Sequence, residues 1–336
     1  MNKYNPKNIL VTGAAGFIGC NFVRYILDNL NDATIISLDK LTYAGKRENL
    51  ANLPSPERHI FIHGDICDRS LVDELLVKYQ IDTVVHLAAE SHVDRSVTEP
   101  AEFVKTNVVG TFTLLEAVRN YWLDTKKLDE TNCRFHHIST DEVYGQLTAQ
   151  DSAFTETTPY DPSSPYSASK AASDHFVRAY ARTYGLPITL SNCSNNYGPY
   201  QHAEKLIPTV IRSCFNQKPI PVYGNGSNIR DWLYVEDHCC ALATILCNGV
   251  VGETYNIGGN CEQDNLTLVK TICEIIDCKR PIQGSHKGLI TFVTDRPGHD
   301  WRYAIDNNKL KQKLNWTPNH DLTAGLEKTI THYLET

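Results

Sequence analysis

The residues able to do chemistry stand in three places. Thr140, Asp141 and Glu142 are consecutive, Tyr166 and Lys170 lie four apart further along, and Gly13, Gly16 and Gly19 open the chain as G-x-x-G-x-x-G. At the start of a helix, Tyr166 and Lys170 would project from one face, about one turn apart. An ammonium there lowers a phenol's pKa from about 10 and can also bind a ribose hydroxyl of the cofactor, so Tyr166 and Lys170 would belong to the cofactor site as well. Tyr166 could then take a hydroxyl proton as hydride leaves the same carbon. Glycines after a strand form the turn through which a dinucleotide's pyrophosphate meets a helix N-terminus. Together these features imply redox chemistry on a nicotinamide cofactor. Asp141 and Glu142 supply what such chemistry lacks: a means to take a proton from carbon and an acid for a departing hydroxyl. The combination implies a dehydration coupled to an internal oxidation and reduction.

Such groups need a scaffold, and the first half of the chain describes one. Short β-branched runs at 8–12, 34–39, 59–64, 83–88, 134–139 and 188–192 predict strands, and segments near 17–29, 70–79, 103–121 and 167–184 predict helices. Strands alternating with helices predict an α/β chain with a doubly wound parallel sheet of the Rossmann type. Residues 1–198 read as a dinucleotide-binding domain. After about Pro199, prolines and glycines break the pattern, so 199–231 and 261–336 read as a smaller substrate-binding lobe over the carboxyl ends of the strands, with 232–260 returning to the main domain.

The scaffold assigns places to further residues. Phe17 and Ile18 begin the first helix. Asp39 ends the second strand, where a carboxylate accepts the ribose hydroxyls and repels a 2′-phosphate, which favours NAD over NADP; Lys40, Lys46 and Arg47 moderate that preference. Asp65 and Ile66 end the third strand, within reach of adenine. Ala88 and Ala89 end the fourth with small side chains that suit close passage of a cofactor.

Composition narrows the class. The chain has 336 residues, 41% hydrophobic and 21% charged, as an ordinary globular protein does. A net charge of -7 and a pI near 6.0 argue against nucleic-acid or anionic-membrane partners. No apolar run approaches the roughly 20 residues of a membrane span, and the N-terminus runs straight into the first strand, which points to the cytoplasm. Eleven cysteines without a C-x-x-C pair or a matching histidine cluster read as reduced thiols, with no metal site expected.

At this point the residues resemble a known family. The chain is similar to the extended short-chain dehydrogenase/reductases and, within them, to the dTDP-glucose 4,6-dehydratases. The resemblance rests on the glycine turn, Asp39-Lys40-Leu41-Thr42-Tyr43-Ala44-Gly45, His86 to Ser96, Ser139 to Gly145, Tyr166 to Lys170, Ser194 to Gln201, Arg230 to His238 and Asp295 to Asp300. It implies conversion of dTDP-glucose to its 4-keto-6-deoxy product. Thr140 and Tyr166 would meet the sugar 4-hydroxyl, with Lys170 as the electrostatic partner of Tyr166. Asp141 would protonate the departing 6-hydroxyl, and Glu142 would take the proton from carbon 5. Thr42, Thr106 and Cys193 would join the cofactor site. Ser91, His92, Asn195, Lys205, Leu206, Pro221, Tyr223, Arg230, Asn265, Arg296 and Tyr303 would bind the nucleotide sugar. The family also implies a homodimer through a four-helix bundle of helices 103–121 and 167–184, with Ala168, Ala171 and Ala172 permitting close contact. Cys20, Ala203 and Trp301 depart from the pattern, and none of the three removes a chemical group. The alternatives are a UDP-glucose 4,6-dehydratase, a UDP-sugar 4-epimerase, which has no need of an Asp141–Glu142 pair, and a non-catalytic NAD-binding scaffold or sensor.

Overall fold

In the computed structural model, residues 3–295 and 300–335 are described. The first six strands are β1 (Asn8–Thr12), β2 (Thr34–Asp39), β3 (His59–His63), β4 (Thr83–His86), β5 (Arg134–Thr140) and β6 (Ile188–Cys193). They are followed by β7 (Asn195–Tyr197), β8 (Ile220–Tyr223), β9 (Ile229–Tyr234), β10 (Thr254–Ile257), β11 (Glu262–Asp264) and β12 (Ile290–Val293). The main sheet runs β3-β2-β1-β4-β5-β6-β10, parallel throughout. Its inner strands are buried on both faces, which is why β1 reads as an unbroken apolar run: Ile9, Leu10 and Val11 are fully enclosed. The order reverses between β1 and β4, and a crevice opens there at the carboxyl ends. The remaining strands form two small sheets, β11-β9-β7 and β12-β8.

The helices are α1 (Phe17–Asn29), α2 (Arg69–Lys78), α3 (Val93–Thr98), α4 (Pro100–Phe103), α5 (Thr111–Val118), α6 (Pro165–Tyr184), α7 (Leu206–Phe215), α8 (Val235–Asn248) and α9 (Asn265–Lys279), with α10 (Asn308–Leu314) and α11 (Leu322–Glu335) closing the chain. α1 buries Phe22, Val23, Ile26 and Leu27, the apolar spacing of a helix packed on a sheet. α6 begins with a capping box between Ser164 and Ser167, has Pro165 in its first turn, and stops at Gly185 in the left-handed region. The helix expected over 103–121 is instead a helical run from 100 to 125. α4 and α5 are its regular parts; the turns at 104–110 and 119–125 are wider π-type turns. Thr111 and Thr113 hydroxyls donate back to the carbonyls of Asn107 and Val109, a back-bonding that loosens a helix beside Gly110.

One face of this run and of α6 stays apolar and exposed: Val104, Val109, Phe112, Phe176 and Tyr184 lie on it. Ala168 is exposed too, but Ala171 packs into its own chain's core beside Tyr144, so it does not belong to that face as expected. Among the described residues no helix is long and apolar enough to cross a membrane.

Candidate active site

A cavity of about 320 Å³ fills the crevice. The turn after β1 forms one wall and leaves no room for side chains. Gly13 has φ +67, and a Cβ on it would sit 2.7 Å from the backbone of Ala88; a Cβ on Gly19 would sit 2.1 Å from the carbonyl oxygen of Gly13. Gly16 is the N-cap of α1 and no side chain caps that end, while Phe17 and Ile18 line the cavity. Backbone amides at a helix N-terminus with no obstructing Cβ fit a pyrophosphate.

Asp39 lies at the edge of this wall, its two oxygens accepting from the amides of Ala15 at 2.8 Å and Leu41 at 2.7 Å. Burial raises its carboxyl pKa against the pull of those amides. Lys40 pairs with Asp65 at 2.8 Å. One of the three cations that tempered the preference for NAD is therefore paired with the residue expected to meet adenine. Asp65 also accepts from the Cys67 amide at 2.9 Å. Thr42, Ile66, Ala88, Ala89, Thr106 and Cys193 line the same cavity. Burial pushes the Cys193 thiol up to about 12, so it is no nucleophile at neutral pH.

The opposite wall carries the acid–base groups. β5 ends at Thr140, whose hydroxyl accepts from the Glu142 amide at 3.3 Å and donates to Asp141 Oδ1 at 3.4 Å, closing a tight helical turn over Asp141–Tyr144. Asp141 is buried, and its Oδ2 has no hydrogen-bond partner among the described residues. Burial, then the charges of Glu142 and Asp231, push its carboxyl well above the usual range. Burial raises Glu142 as well, but Lys205 and Arg230 pull it back toward the charged form. Two adjacent carboxyls thus face different surroundings, the pattern that separates an acid from a base.

Tyr166 and Lys170 reach this wall from the first turns of α6, and both are buried. The expected lowering of the phenol is reversed: burial, followed by the charge of Glu142, holds Tyr166 well above its ordinary value. Lys170 instead donates to the carbonyl of Ile138 at 2.7 Å.

The structure brings all the expected cofactor and catalytic residues to one cavity, together with Ser91, Asn195 and Lys205. The other expected substrate residues that are described lie outside its lining. His92 caps α3, accepting from the Arg95 amide, and pairs with Glu204 at 3.2 Å, so its visible work is structural. Leu206 opens α7, Pro221 and Tyr223 lie in β8, and Asn265 opens α9. Arg230 donates to the carbonyls of Ile229, Trp301 and Asp300 and stacks on the Tyr303 ring at 4.6 Å, while Tyr303 donates to Asp300. Arg296 lies outside the described residues. The site list drawn from the sequence omits Tyr43, Glu90, Ser139, Asn196 and Gln201, which also line the cavity. All five fall in the segments that carry the family resemblance, which was the available signal.

A parallel sheet of this order, a glycine turn at its switch point and Y-x-x-x-K facing that turn define an extended short-chain dehydrogenase/reductase. A sequence model for the family described as GDP-mannose 4,6 dehydratase matches residues 10–329. The chain is 55% identical over 339 residues to a dTDP-glucose 4,6-dehydratase of Neisseria gonorrhoeae, covering 100% of this chain and 98% of the relative. The crystal structure of a dTDP-glucose 4,6-dehydratase from Bacillus anthracis in complex with NAD superposes with a TM-score of 0.87 at 42% identity, covering 98% of this chain and 97% of that one. The chain belongs to this family of nucleotide-sugar 4,6-dehydratases. A UDP-glucose 4-epimerase of Thermotoga maritima shares the fold at a TM-score of 0.85 and 29% identity, covering 98% of this chain and 99% of that one. Fold alone therefore does not choose the reaction.

Proposed function

We propose that the chain converts dTDP-glucose to dTDP-4-keto-6-deoxyglucose and water, with NAD held against the glycine turn. The observation that carries this reading is the Asp141–Glu142 pair. An enclosed carboxyl with an unpartnered oxygen stands beside a second carboxyl that two cations favour as the anion, both on the cavity wall that carries Thr140 and Tyr166. An epimerisation needs neither.

The residues divide the work as follows. Gly13, Gly16, Phe17, Ile18 and Gly19 hold the cofactor's phosphates, and Asp39 holds its ribose hydroxyls. The chemistry supplied with NAD is hydride storage between oxidation at carbon 4 and reduction at carbon 6. Thr140 orients the sugar 4-hydroxyl and Tyr166 takes its proton, with the Lys170 ammonium offsetting the charge. The ketone makes the carbon 5 proton acidic, and Glu142 removes it. Asp141, held protonated by burial, gives its proton to the 6-hydroxyl, which leaves as water. The charge of Asp141 is one of the causes that raise Tyr166, so a neutral Asp141 eases ionisation of the phenol. Ser91, Asn195, Lys205, Arg230, Arg296 and Tyr303 hold the sugar and diphosphate, where a guanidinium fork suits phosphate. Leu206, Pro221, Tyr223 and Asn265 hold the nucleoside. In this reading 1–198 and 232–260 carry the cofactor, and 199–231 and 261–336 carry the substrate.

The exposed apolar face of α6 and the helical run beside it supports a homodimer built on a four-helix bundle. Phe112 and Phe176 are edge-to-face at 6.2 Å on this face, a continuous aromatic patch of the kind that marks an interface.

The test is incubation of the purified protein with dTDP-, UDP-, CDP- and GDP-glucose, following release of water and a new 4-keto sugar. Turnover of dTDP-glucose is expected. A 4-epimer formed without loss of water, or turnover of none, would overturn the proposal.

A further inference from the structure

The mechanism leaves one fully enclosed charge unused. Asp174, on α6, is 0% exposed. Its Oδ1 accepts from His137 Nε2 at 3.0 Å, and its Oδ2 accepts from the Ser139 hydroxyl at 2.8 Å and the Tyr160 hydroxyl at 2.9 Å. The Tyr160 oxygen accepts in turn from Arg178 Nη2 at 2.7 Å. Tyr166, Lys170, Asp174 and Arg178 are spaced by four, so they form a single stripe along α6. Lys170 donates to the Ile138 carbonyl, as noted above. Three successive residues of β5 (His137, Ile138 and Ser139) are thus gripped by two neighbouring side chains of α6, immediately before Thr140, Asp141 and Glu142.

A carboxylate buried this deeply persists only with enough donors and a nearby cation. Burial pushes Asp174 upward, but His137, Lys170 and Ser139 outweigh it, and the carboxyl lies below the usual range. Burial lowers the Lys170 ammonium, and the charge of Asp174 opposes that fall.

We infer that Asp174 is a positioning residue: it places a carboxylate one helical turn from Lys170 and fixes the end of β5 against α6, so that Tyr166 meets Thr140 and the acid–base pair in register. The inference rests on the proposed reading of the site. The charged and titratable groups around Lys170 are His86 on β4, His137 on β5, Cys193 on β6, and Tyr166, Asp174 and Arg178 on α6. His86 and His137 are enclosed and held below their ordinary pKa, so they stay neutral and leave Asp174 as the counter-charge.

The experiment compares the full-length protein with Asp174→Asn and Asp174→Glu, measuring turnover of dTDP-glucose and NAD affinity across pH. Activity needs the Lys170 ammonium and is lost above its pKa. Removing the counter-charge should therefore move the alkaline limb of kcat down by roughly 1–3 pH units, with kcat lower by on the order of 10²-fold as the end of β5 shifts. Asp174→Glu, which keeps the charge, should leave the limb in place. A parent protein that turns over no sugar nucleotide would count against the dehydratase reading, while the alkaline limb of NAD affinity, to which Lys170 contributes, still tests Asp174. An Asp174→Asn variant with the parent's limb and kcat would overturn the inference. So would equal losses in both variants without any shift of the limb. If Asp174→Asn does not fold, Ser139→Ala and Tyr160→Phe each remove one donor and keep the charge. They should slow turnover without moving the limb, and unchanged kcat in both would equally overturn it.

Discussion

Asp141→Asn should stabilise the protein while disabling it, and the stabilisation should depend on pH. In the parent, burial holds the Asp141 carboxyl well above the ordinary range and its Oδ2 has no partner. A carboxyl whose folded pKa is raised contributes its full stability below the unfolded pKa and loses it as pH rises through the folded pKa. At neutral pH the parent therefore carries a cost that an amide, which does not titrate, avoids. Above the unfolded pKa the parent loses about 1.4 kcal/mol for each pH unit until the folded pKa is reached, so one unit of separation already costs about that much. With an unfolding entropy of about 2.1 cal/mol/K per residue, a chain of 336 residues changes by roughly 0.7 kcal/mol per degree. The expected rise in Tm is at least about 2 °C near pH 8, shrinking toward pH 4 as the parent's disadvantage disappears. The assay is thermal unfolding of parent and variant across that range, beside a turnover measurement in which dehydration falls by on the order of 10²-fold or more. A difference in Tm that stays constant with pH, or a variant less stable near pH 8, would refute the reasoning.

Tyr166→Phe keeps the ring and Lys170 but removes the ionisable hydroxyl; turnover should fall by about 10²–10⁴-fold with NAD still bound, and near-parent turnover would reassign the base. Glu142→Gln should still form the 4-keto sugar but incorporate little solvent deuterium at carbon 5, read by mass spectrometry of the quenched sugar; parent-level incorporation would remove Glu142 from that step. Gly19→Ala places a methyl 2.1 Å from the Gly13 carbonyl oxygen, so NAD affinity measured by titration should collapse; retained affinity would show that the turn can shift. Phe176→Asp puts a charge on the exposed face of α6 and should yield a monomer in sedimentation at micromolar concentration, whereas an unchanged mass would move the interface elsewhere.

The main sheet was legible because its inner strands are enclosed on both faces. Such strands must be continuous β-branched runs, and β1, β2 and α1 match their predicted bounds residue for residue. The glycine turn, Tyr166 and Lys170 were legible because local spacing alone defines them. Contacts made across long stretches of chain were not. The segment that follows Asp300 lies against the loop beyond Gly145, with Leu147 donating to the Arg302 carbonyl at 3.0 Å and Phe154 to that of Ala304 at 2.9 Å. Arg302 clamps the same loop through the carbonyls of Thr148 and Asp151 while pairing with Glu262. Nothing in the local pattern announces that packing. The direction of the Tyr166 shift was missed for a related reason: spacing supplied the lysine but not the burial or the charge of Glu142.

The central claim, internal hydride transfer coupled to loss of water, is tested most directly with dTDP-glucose carrying deuterium at carbon 4. The account predicts a 4-keto-6-deoxy product with that deuterium in the methyl group at carbon 6. Deuterium found back at carbon 4 of an epimerised sugar, or lost to solvent, would contradict it.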